Sequence, residues 1–453
     1  MQIPKLLIHS LQDITGFDEE AFIHVHESGE QVTSIRINPN KVNYGISLFE
    51  NTKQVSWSRF GYYLPNRPSF TFDPLFHAGC YYVQEASSMF LEEALKQTVD
   101  LLKQVKILDL CAAPGGKSSH LQSLISKDSL LVSNEVIRQR SNILKDNIIK
   151  WGTNNVLVSN NDPKDFSKLH GYFDILVIDA PCSGSGLFRR DKEAINEWSE
   201  NNVMLCSSRQ RRILADALPS LKENGILIYS TCSYSKEEDE EILDWLITEF
   251  ELENLQLTLN EEWGITEIKT EKENFGYRFW PYKLKGEGFF LSVFKKTASE
   301  KPASQTKSKL KLVSKKQKEI FGNWVNPGDS ELVIFGNTVY AWPKNLVNDY
   351  DFLAQHLKTI YSGTALGSFA HDKFIPDHSL AMSNLYSEKV IKTELSKENA
   401  IAYLQRKDFE ATIALKGMQI ATFNNYPLGW MNVLQNRINN YYPKELRILK
   451  DKI

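Results

Sequence analysis

The central part of the chain alternates short apolar segments with segments of helical spacing, and this alternation constrains the fold more than any other feature. The apolar segments lie at 105–110, 129–135, 154–160, 173–180 and 226–232. Near-continuous apolar strands separated by helices indicate a mostly parallel sheet that is covered on both faces. The sequence therefore predicts an α/β fold with a Rossmann-like core.

The residue types mark one end of each of two predicted helices. One runs over 204–225, with Pro219 near its end and Gly225 as its stop. The other runs over 235–250, and its acidic first turn suits the positive end of the helix dipole. We expect a last strand over 286–296 to complete the core.

The flanking segments predict further domains on both sides of this core. We expect an N-terminal α+β segment over 1–95, the core over 96–297, a linker over 298–313, a first C-terminal domain over 314–389 and a small β-rich module over 390–453. The linker overlaps a stretch between 301 and 318 that holds seven lysines and no acidic residue. A charge run of this kind is usually a solvated connection.

Composition excludes several classes of protein. A chain of 453 residues with 42% hydrophobic and 24% charged residues is typical of a globular protein, and its net charge of −3 neither favours nor excludes nucleic acid as a partner. There is no signal-peptide pattern and no apolar run of membrane-spanning length, so we expect a cytoplasmic protein without a membrane partner. The five cysteines are odd in number and lack zinc-ligand spacing, so we expect neither a disulfide scaffold nor a metal site.

A glycine-rich turn, "LDLCAAPGGKSS", follows the first core strand directly. Gly115 and Gly116 allow a ligand to approach the backbone, and the next helix offers free N–H groups. Glu135 ends the second strand, twenty positions after Gly115, where a carboxylate suits ribose hydroxyls, and Asp162 follows the third strand. A phosphate loop would need glycine at the position of Cys111. A nucleoside with little or no phosphate, such as S-adenosylmethionine, fits this turn better.

Two cysteines stand in similar surroundings at the ends of two later strands. Cys182 lies in "VIDAPCSGSG", and Cys232 lies fifty positions later in "IYSTCSYS". If these strands are neighbours in a doubly wound sheet, both thiols reach the crevice beside the glycine turn. A buried cysteine is usually a packing residue, but a pair at this place suggests chemistry.

A methyl donor and a thiol pair suit methylation of carbon 5 of cytosine. A thiolate that adds to carbon 6 makes carbon 5 nucleophilic, and a second thiol can assist release as acid or base. Asp179 can accept a hydrogen bond from the amino edge of the base, which must first leave its stack. These residues alone leave open which cysteine is the nucleophile.

The motifs "LDLCAAPGGKSSHL", "DAPCSGSGLFRRD" and "YSTCSYSKEEDEE" resemble, in order and spacing, those of the Sun-type RNA cytosine-5 methyltransferases, over residues 30–296. The C-terminal stretch resembles the tail of RsmF-type ribosomal RNA enzymes, which ends in a PUA-like module. The resemblance implies that Cys232 is the nucleophile, that Cys182 assists release and that Asp179 orients the base. It also implies cofactor contacts from Cys111, Ala112, Ala113, Pro114, Gly115, Gly116, Lys117, Glu135, Asp162 and Asp179.

We therefore expect an S-adenosylmethionine-dependent enzyme that methylates carbon 5 of a cytosine in small-subunit (16S) ribosomal RNA. Its partner would be that RNA or a ribosomal subunit, and we expect the protein to be a monomer. Three alternatives stay open: the same chemistry on transfer RNA, a catalytically silent RNA-binding ribosome assembly factor, and a nucleotide-hydrolysing protein. The missing first glycine disfavours the last of these.

Overall fold

The fold is taken from a computed structural model, which describes residues 3–43, 48–299, 301, 308, 310–370, 373–409 and 415–451. The N-terminal segment is a small antiparallel sheet with short helices around it. The sheet has the strand order β2-β3-β1-β4. Its elements are α1 (Lys5–Ser10), α2 (Glu19–Glu27), β1 (Thr33–Ile37), β2 (Lys53–Gln54), β3 (Gly61–Leu64), α3 (Pro74–His77), β4 (Tyr81–Val83) and α4 (Leu91–Thr98).

The core is a strand–helix alternation, as the apolar pattern predicts. Its elements are β5 (Lys106–Asp109), α5 (Gly116–Leu124), β6 (Leu130–Asn134), α6 (Arg138–Trp151), β7 (Val156–Ser159), β8 (Phe173–Asp179), α7 (Glu193–Glu197), α8 (Glu200–Ala217), β9 (Leu221–Thr231), α9 (Glu240–Glu249), β10 (Leu252–Asn254), β11 (Thr266–Lys269), β12 (Phe275–Phe279) and β13 (Phe289–Lys296). The predicted Rossmann-like core is confirmed.

The central sheet places the ends of its parallel strands side by side. Strands β7, β6, β5, β8 and β9 lie in that order and are parallel, and β13, β12 and β11 continue the sheet in antiparallel orientation. After β5, the chain adds β6 and β7 on one side of that strand. It then crosses back and adds β8 on the other side. In open α/β sheets, ligands bind at such a switch point, at the carboxyl ends of the strands.

The C-terminal half contains two further sheets. The first has the order β14-β15-β16-β18-β19, and the second has the order β20-β21-β22-β23. The elements are β14 (Lys311–Leu312), α10 (Lys315–Phe321), β15 (Ser330–Phe335), β16 (Thr338–Pro343), α11 (Val347–His356), β17 (Thr359–Ser362), β18 (Thr364–Ala370), β19 (Lys373–Pro376), α12 (His378–Met382), β20 (Ile391–Glu394), α13 (Lys397–Gln405), β21 (Gly417–Phe423), β22 (Tyr426–Val433) and β23 (Ile438–Asn440).

One C-terminal strand belongs to the core sheet. β17 pairs antiparallel with β7 and so forms the edge of the central sheet. Next to it, Asp349 accepts hydrogen bonds from the Lys106 ammonium at 2.5 Å and from the Tyr172 hydroxyl at 2.6 Å. Tyr350 and Leu353 are fully buried against the same core. The C-terminal half is therefore packed onto the core and completes its sheet.

The structure corrects two predicted helix ends. The helix predicted over 204–225 ends at Ala217, because Pro219 cannot continue it, and Gly225 lies inside β9. The helix predicted over 235–250 begins only at Glu240. The acidic residues before it are consequently free to take other positions.

The predicted linker over 298–313 lies partly outside the described residues. Its described end, Lys311–Leu312, pairs with β15. The predicted domain boundaries stay predictions. Within the described ranges, none of the helices combines the length and apolar composition that crossing a bilayer requires.

Candidate active site

The glycine turn connects β5 to α5 and is held by backbone contacts. Gly115 adopts φ +112° at the start of α5, a conformation that L side chains rarely take. The amide of Ala112 donates to the Asn134 carbonyl at 2.8 Å, and Asn147 donates to the Pro114 carbonyl at 2.8 Å. The turn is thereby fixed against β6 and α6, with the N-terminus of α5 beside it.

Glu135 lies at the carboxyl end of β6, next to this turn. The residue is 3% exposed, and its carboxylate accepts a hydrogen bond from the Ile137 amide at 2.9 Å. Arg140 lies 3.3 Å from the same carboxylate and also donates to the Ala113 carbonyl at 2.9 Å. Arg140 therefore links the predicted ribose-binding carboxylate to the glycine turn.

Asp109 was not predicted as a site residue, although it ends the strand before the turn. Its carboxylate is fully buried; one oxygen accepts from the Ser118 hydroxyl at 2.6 Å, and the other has no partner among the described residues. Burial raises the pKa of Asp109 to about 7. An unpartnered buried oxygen beside a glycine turn suits a ligand with a hydrogen-bond donor.

Two other predicted cofactor residues, Asp162 and Cys111, also follow the carboxyl ends of core strands. Asp162 follows β7, accepts from the Lys164 amide at 3.2 Å and lies 3.4 Å from Arg212. Burial raises the pKa of the Cys111 thiol, which packs against the core beneath the turn. A raised pKa lowers the fraction of thiolate at Cys111.

The thiols of the two strand-end cysteines are in contact. The Sγ atoms of Cys182 and Cys232 are 3.0 Å apart, although fifty positions separate the residues in the chain. They meet because β8 and β9 are parallel neighbours and each cysteine follows the carboxyl end of its strand. The hydrogen bond with Cys232, together with burial, raises the pKa of Cys182. Cys182 therefore keeps its proton to a higher pH than a free thiol does.

Glu238 holds the two cysteine loops together, and the sequence analysis missed it. One carboxylate oxygen accepts from the Ser183 amide at 2.9 Å and from Gln210 at 3.0 Å. The other accepts from the hydroxyls of Ser183 at 2.5 Å and of Ser233 at 2.7 Å. Ser183 and Ser233 directly follow Cys182 and Cys232, so one buried carboxylate sets the separation of the thiols.

Glu238 belongs to the acidic run that was predicted to open a helix. Its neighbour Asp239 is also buried and lies 3.1 Å from Arg278. Burial raises the pKa of both carboxyl groups. In the sequence, the position of this run, a few residues after Cys232, is the feature that could have indicated a carboxylate near the thiols. Its acidic composition could not.

Asp179 ends β8 within this group of residues. It accepts from the Ser230 hydroxyl at 2.8 Å and lies 2.8 Å from the Lys117 ammonium. Lys117 is the first side chain of α5 after the two glycines, so this ion pair connects the glycine turn with the strand that leads to Cys182. A third of the Asp179 side chain is exposed, which leaves it accessible from the crevice.

The C-terminal module carries exposed basic side chains. Arg437, Lys444 and Arg447 are exposed, and Arg437 lines a cleft together with Arg406 and Lys407. Tyr441 is 46% exposed, whereas Tyr442 is buried, so only Tyr441 can stack on a base. This surface combines cations with an accessible ring.

Four family profiles match successive parts of the chain. They are the N-terminal domain of 16S rRNA methyltransferase RsmF over residues 3–86, 16S rRNA methyltransferase RsmB/F over 96–295, the RsmF rRNA methyltransferase first C-terminal domain over 317–383 and the methyltransferase RsmF PUA domain over 390–448. Their order follows the order of the folded parts described above.

Whole-chain relatives agree with these profiles. The chain is 31% identical to ribosomal RNA small subunit methyltransferase F of Psychromonas ingrahamii, over 81% of this chain and 79% of the relative. It is 30% identical to the protein of the same name from Aliivibrio salmonicida, over 82% and 79%. The chain belongs to the RsmB/F family of 16S rRNA methyltransferases.

Solved structures support the fold. A methyltransferase homolog protein from Pyrococcus horikoshii matches with a TM-score of 0.52 and 26% identity, over 65% of this chain and all of that one. NSun6 from the same organism, in complex with the S-adenosylmethionine analogue SFG, matches with a TM-score of 0.54 and 18% identity, over 65% and 99%. Membership of the family confirms the predictions of an RNA methyltransferase and of S-adenosylmethionine as its cofactor.

Proposed function

We propose that this enzyme methylates carbon 5 of a cytosine in small-subunit ribosomal RNA, through a covalent bond between Cys232 and carbon 6 of the base. The observation that carries the proposal is the thiol pair, 3.0 Å apart at the carboxyl ends of β8 and β9. A methyl transfer to a nucleophilic oxygen or nitrogen needs no thiol, whereas carbon 5 of cytosine must first be activated.

The cofactor fits the turn between β5 and α5. Gly115 supplies the left-handed conformation at the N-cap of α5, Glu135 offers a carboxylate for ribose hydroxyls, and Asp109 offers an oxygen without a partner among the described residues. Val136 and Ile137 are each 51% exposed beside Glu135, and such apolar side chains suit a planar base. When bound there, S-adenosylmethionine supplies the methyl group that carbon 5 receives.

The two thiols have different roles in this proposal. Attack by the Cys232 thiolate on carbon 6 gives an enamine, and carbon 5 then accepts the methyl group. Afterwards the proton on carbon 5 must leave and the bond to Cys232 must break. Cys182, whose pKa is raised, holds a proton beside the departing sulfur and can donate it to that sulfur; the thiolate left on Cys182 then accepts the proton from carbon 5, so both thiols end protonated.

Asp179 orients the base. Its carboxylate already accepts from Ser230 and faces Lys117, and its exposed side can accept a hydrogen bond from the exocyclic amino group of cytosine. Uracil has a carbonyl oxygen at that position, which would repel the carboxylate. This contact therefore favours cytosine over uracil.

The test is a methyl-transfer assay on purified RNA. The protein is incubated with methyl-labelled S-adenosylmethionine and either small-subunit ribosomal RNA or transfer RNA, and the RNA is digested to nucleosides. We expect label in 5-methylcytidine from the ribosomal RNA, and bisulfite sequencing then locates the position. Label in transfer RNA alone would show that transfer RNA is the substrate. Label in a nucleoside other than 5-methylcytidine would refute methylation of carbon 5. RNA binding without any label would indicate an assembly factor.

A further inference from the structure

A groove of about 410 Å³ lies where four parts of the chain meet, away from the thiols. We call it the junction groove. Asn40 lines it from the N-terminal segment, Asn155 from the core, Asn384 from the region after α12 and Asn425 from the turn before β22. Asn155 directly precedes β7, whereas the active-site residues follow the carboxyl ends of the strands. The groove thus lies at the opposite end of the sheet, separated by roughly 13 Å, the length of the four-residue strand β7.

The lining of the junction groove suits a polyanion. Among the described residues that line it there is no Asp or Glu, although the chain holds 56 of them. Lys127 contributes an exposed positive charge, the Lys41 ammonium donates to the Ala78 and Lys150 carbonyls, and amide side chains make up much of the remainder. Another groove, near the N-terminal helices, instead includes Asp13, Glu240, Glu241, Asp244 and Glu271. Absence of carboxylates lowers the repulsion that phosphate groups would meet.

Three side chains that line the junction groove carry buried polar atoms without a partner among the described residues. They are both amide atoms of Gln122, Nε1 of Trp151 and Oγ1 of Thr153. Gln122 is 5% exposed and Trp151 is 1% exposed. Each unpaired buried group costs about 1–3 kcal/mol, so a polar ligand or the waters it brings would recover binding energy here.

Aromatic rings complete the groove. Tyr386 and Tyr426 are half-buried, so each presents part of a ring, and the Lys392 ammonium lies 4.7 Å from the Tyr386 ring centre. Single-stranded nucleic acid binds where bases stack on aromatic rings and cations contact phosphates. Amide groups can in addition bond the edges of unpaired bases.

We propose that the junction groove binds a single-stranded stretch of the RNA substrate, with bases against Tyr386 and Tyr426 and a phosphate at Lys127. The proposal rests on the proposed function, since it takes RNA as the substrate. Because the groove lies at the far end of the sheet, it would bind nucleotides distant from the one that is methylated. It would hold the RNA and take no part in the chemistry.

The test introduces negative charge without changing side-chain volume much. The triple variant Lys127→Gln, Asn384→Asp, Asn425→Asp alters three exposed groove positions. The matched control Lys272→Gln, Asn51→Asp, Asn337→Asp makes the same charge change at exposed positions elsewhere. Equilibrium binding of small-subunit ribosomal RNA, cofactor binding and methyl-transfer kinetics are measured for both in the full chain.

We expect the groove variant to bind RNA about tenfold more weakly and to show a raised KM for RNA, with kcat and cofactor affinity unchanged. The control should stay within twofold of the wild type. Equal RNA affinity for the groove variant, the control and the wild type would overturn the proposal. A wild-type protein that binds RNA without methylating it would overturn the proposed function instead, and the groove would still be judged by the binding measurement.

Discussion

The carboxyl end and the outer edge of the central sheet are built in different ways. At the carboxyl end, short strand–loop connections bring Cys182, Cys232 and Asp179 together, and each lies within three residues of a strand end. At the outer edge, β17 comes from the C-terminal half and pairs with β7 across some two hundred positions of sequence. The first arrangement follows from local sequence and strand order, whereas the second depends on contacts between distant segments.

In this comparison, the carboxyl end of the sheet holds the residues that perform the reaction. The outer edge stabilises the protein and the surfaces that hold its substrate. Changes at the carboxyl end should affect the reaction while the fold persists, because the groups there are few and lie in loops. Changes at the edge should affect folding first, since Tyr350 and Leu353 are buried in the core. Each of the following experiments tests one side of that separation.

The largest effect is expected from Cys232→Ala. Without the attacking thiol, carbon 5 is never activated, so methyl transfer should fall to the background rate. Cofactor affinity and thermal stability should stay near those of the wild type, because Cys232 is only half-buried. A matched Cys206→Ala variant, which alters a thiol on α8, should keep full activity. Activity in Cys232→Ala would show that Cys232 is not the nucleophile.

Removal of the C-terminal half should destabilise the core. A chain that ends at residue 297 lacks β17 and loses the contacts of Asp349 with Lys106 and Tyr172. It also exposes core apolar surface, so we expect a thermal midpoint at least 10 °C lower, or aggregation. Calorimetry against the full chain measures this. An unchanged midpoint would mean that the edge strand adds nothing to the core.

Glu238 gives a finer test, because it lies in the active-site loops and is also buried. Glu238→Ala leaves the donors of Ser183, Ser233 and Gln210 without a partner, at a cost of about 3 kcal/mol or more, and should lower kcat strongly. Glu238→Gln should be milder, since the two serine hydroxyls can rotate and accept from the new amide. Denaturant unfolding measures the stability of each variant, and kinetics measures its kcat. Wild-type kcat and stability in both variants would show that Glu238 does not set the separation of the thiols.

The smallest of these effects is expected from Glu135→Ala. Charge-assisted hydrogen bonds to ribose hydroxyls are worth about 1.5–3 kcal/mol each, so S-adenosylmethionine should bind at least tenfold more weakly. The fold should persist, with Glu197→Ala as an exposed control. Titration calorimetry that finds unchanged affinity for Glu135→Ala would exclude Glu135 from the cofactor site.

Local patterns in the sequence were sufficient for the core and for the thiol pair. Strand periodicity and the order of the motifs placed Cys182, Cys232 and Glu135 at strand ends, and in the structure the two thiols are in contact while Glu135 follows the carboxyl end of β6. Glu238 was missed because an acidic run before a helix normally faces solvent, and its burial depends on serines from two loops. The place of β17 was missed because edge pairing between distant segments leaves no local signal.

The different roles of the two neighbouring thiols can be tested by denaturing gel electrophoresis. Cys182→Ala and Cys232→Ala are each incubated with substrate RNA and S-adenosylmethionine. We expect a covalent protein–RNA species to accumulate with Cys182→Ala, because attack proceeds but release is slow, and none to form with Cys232→Ala. An adduct from Cys232→Ala and none from Cys182→Ala would reverse the assignment, and full activity in both without an adduct would contradict a covalent mechanism.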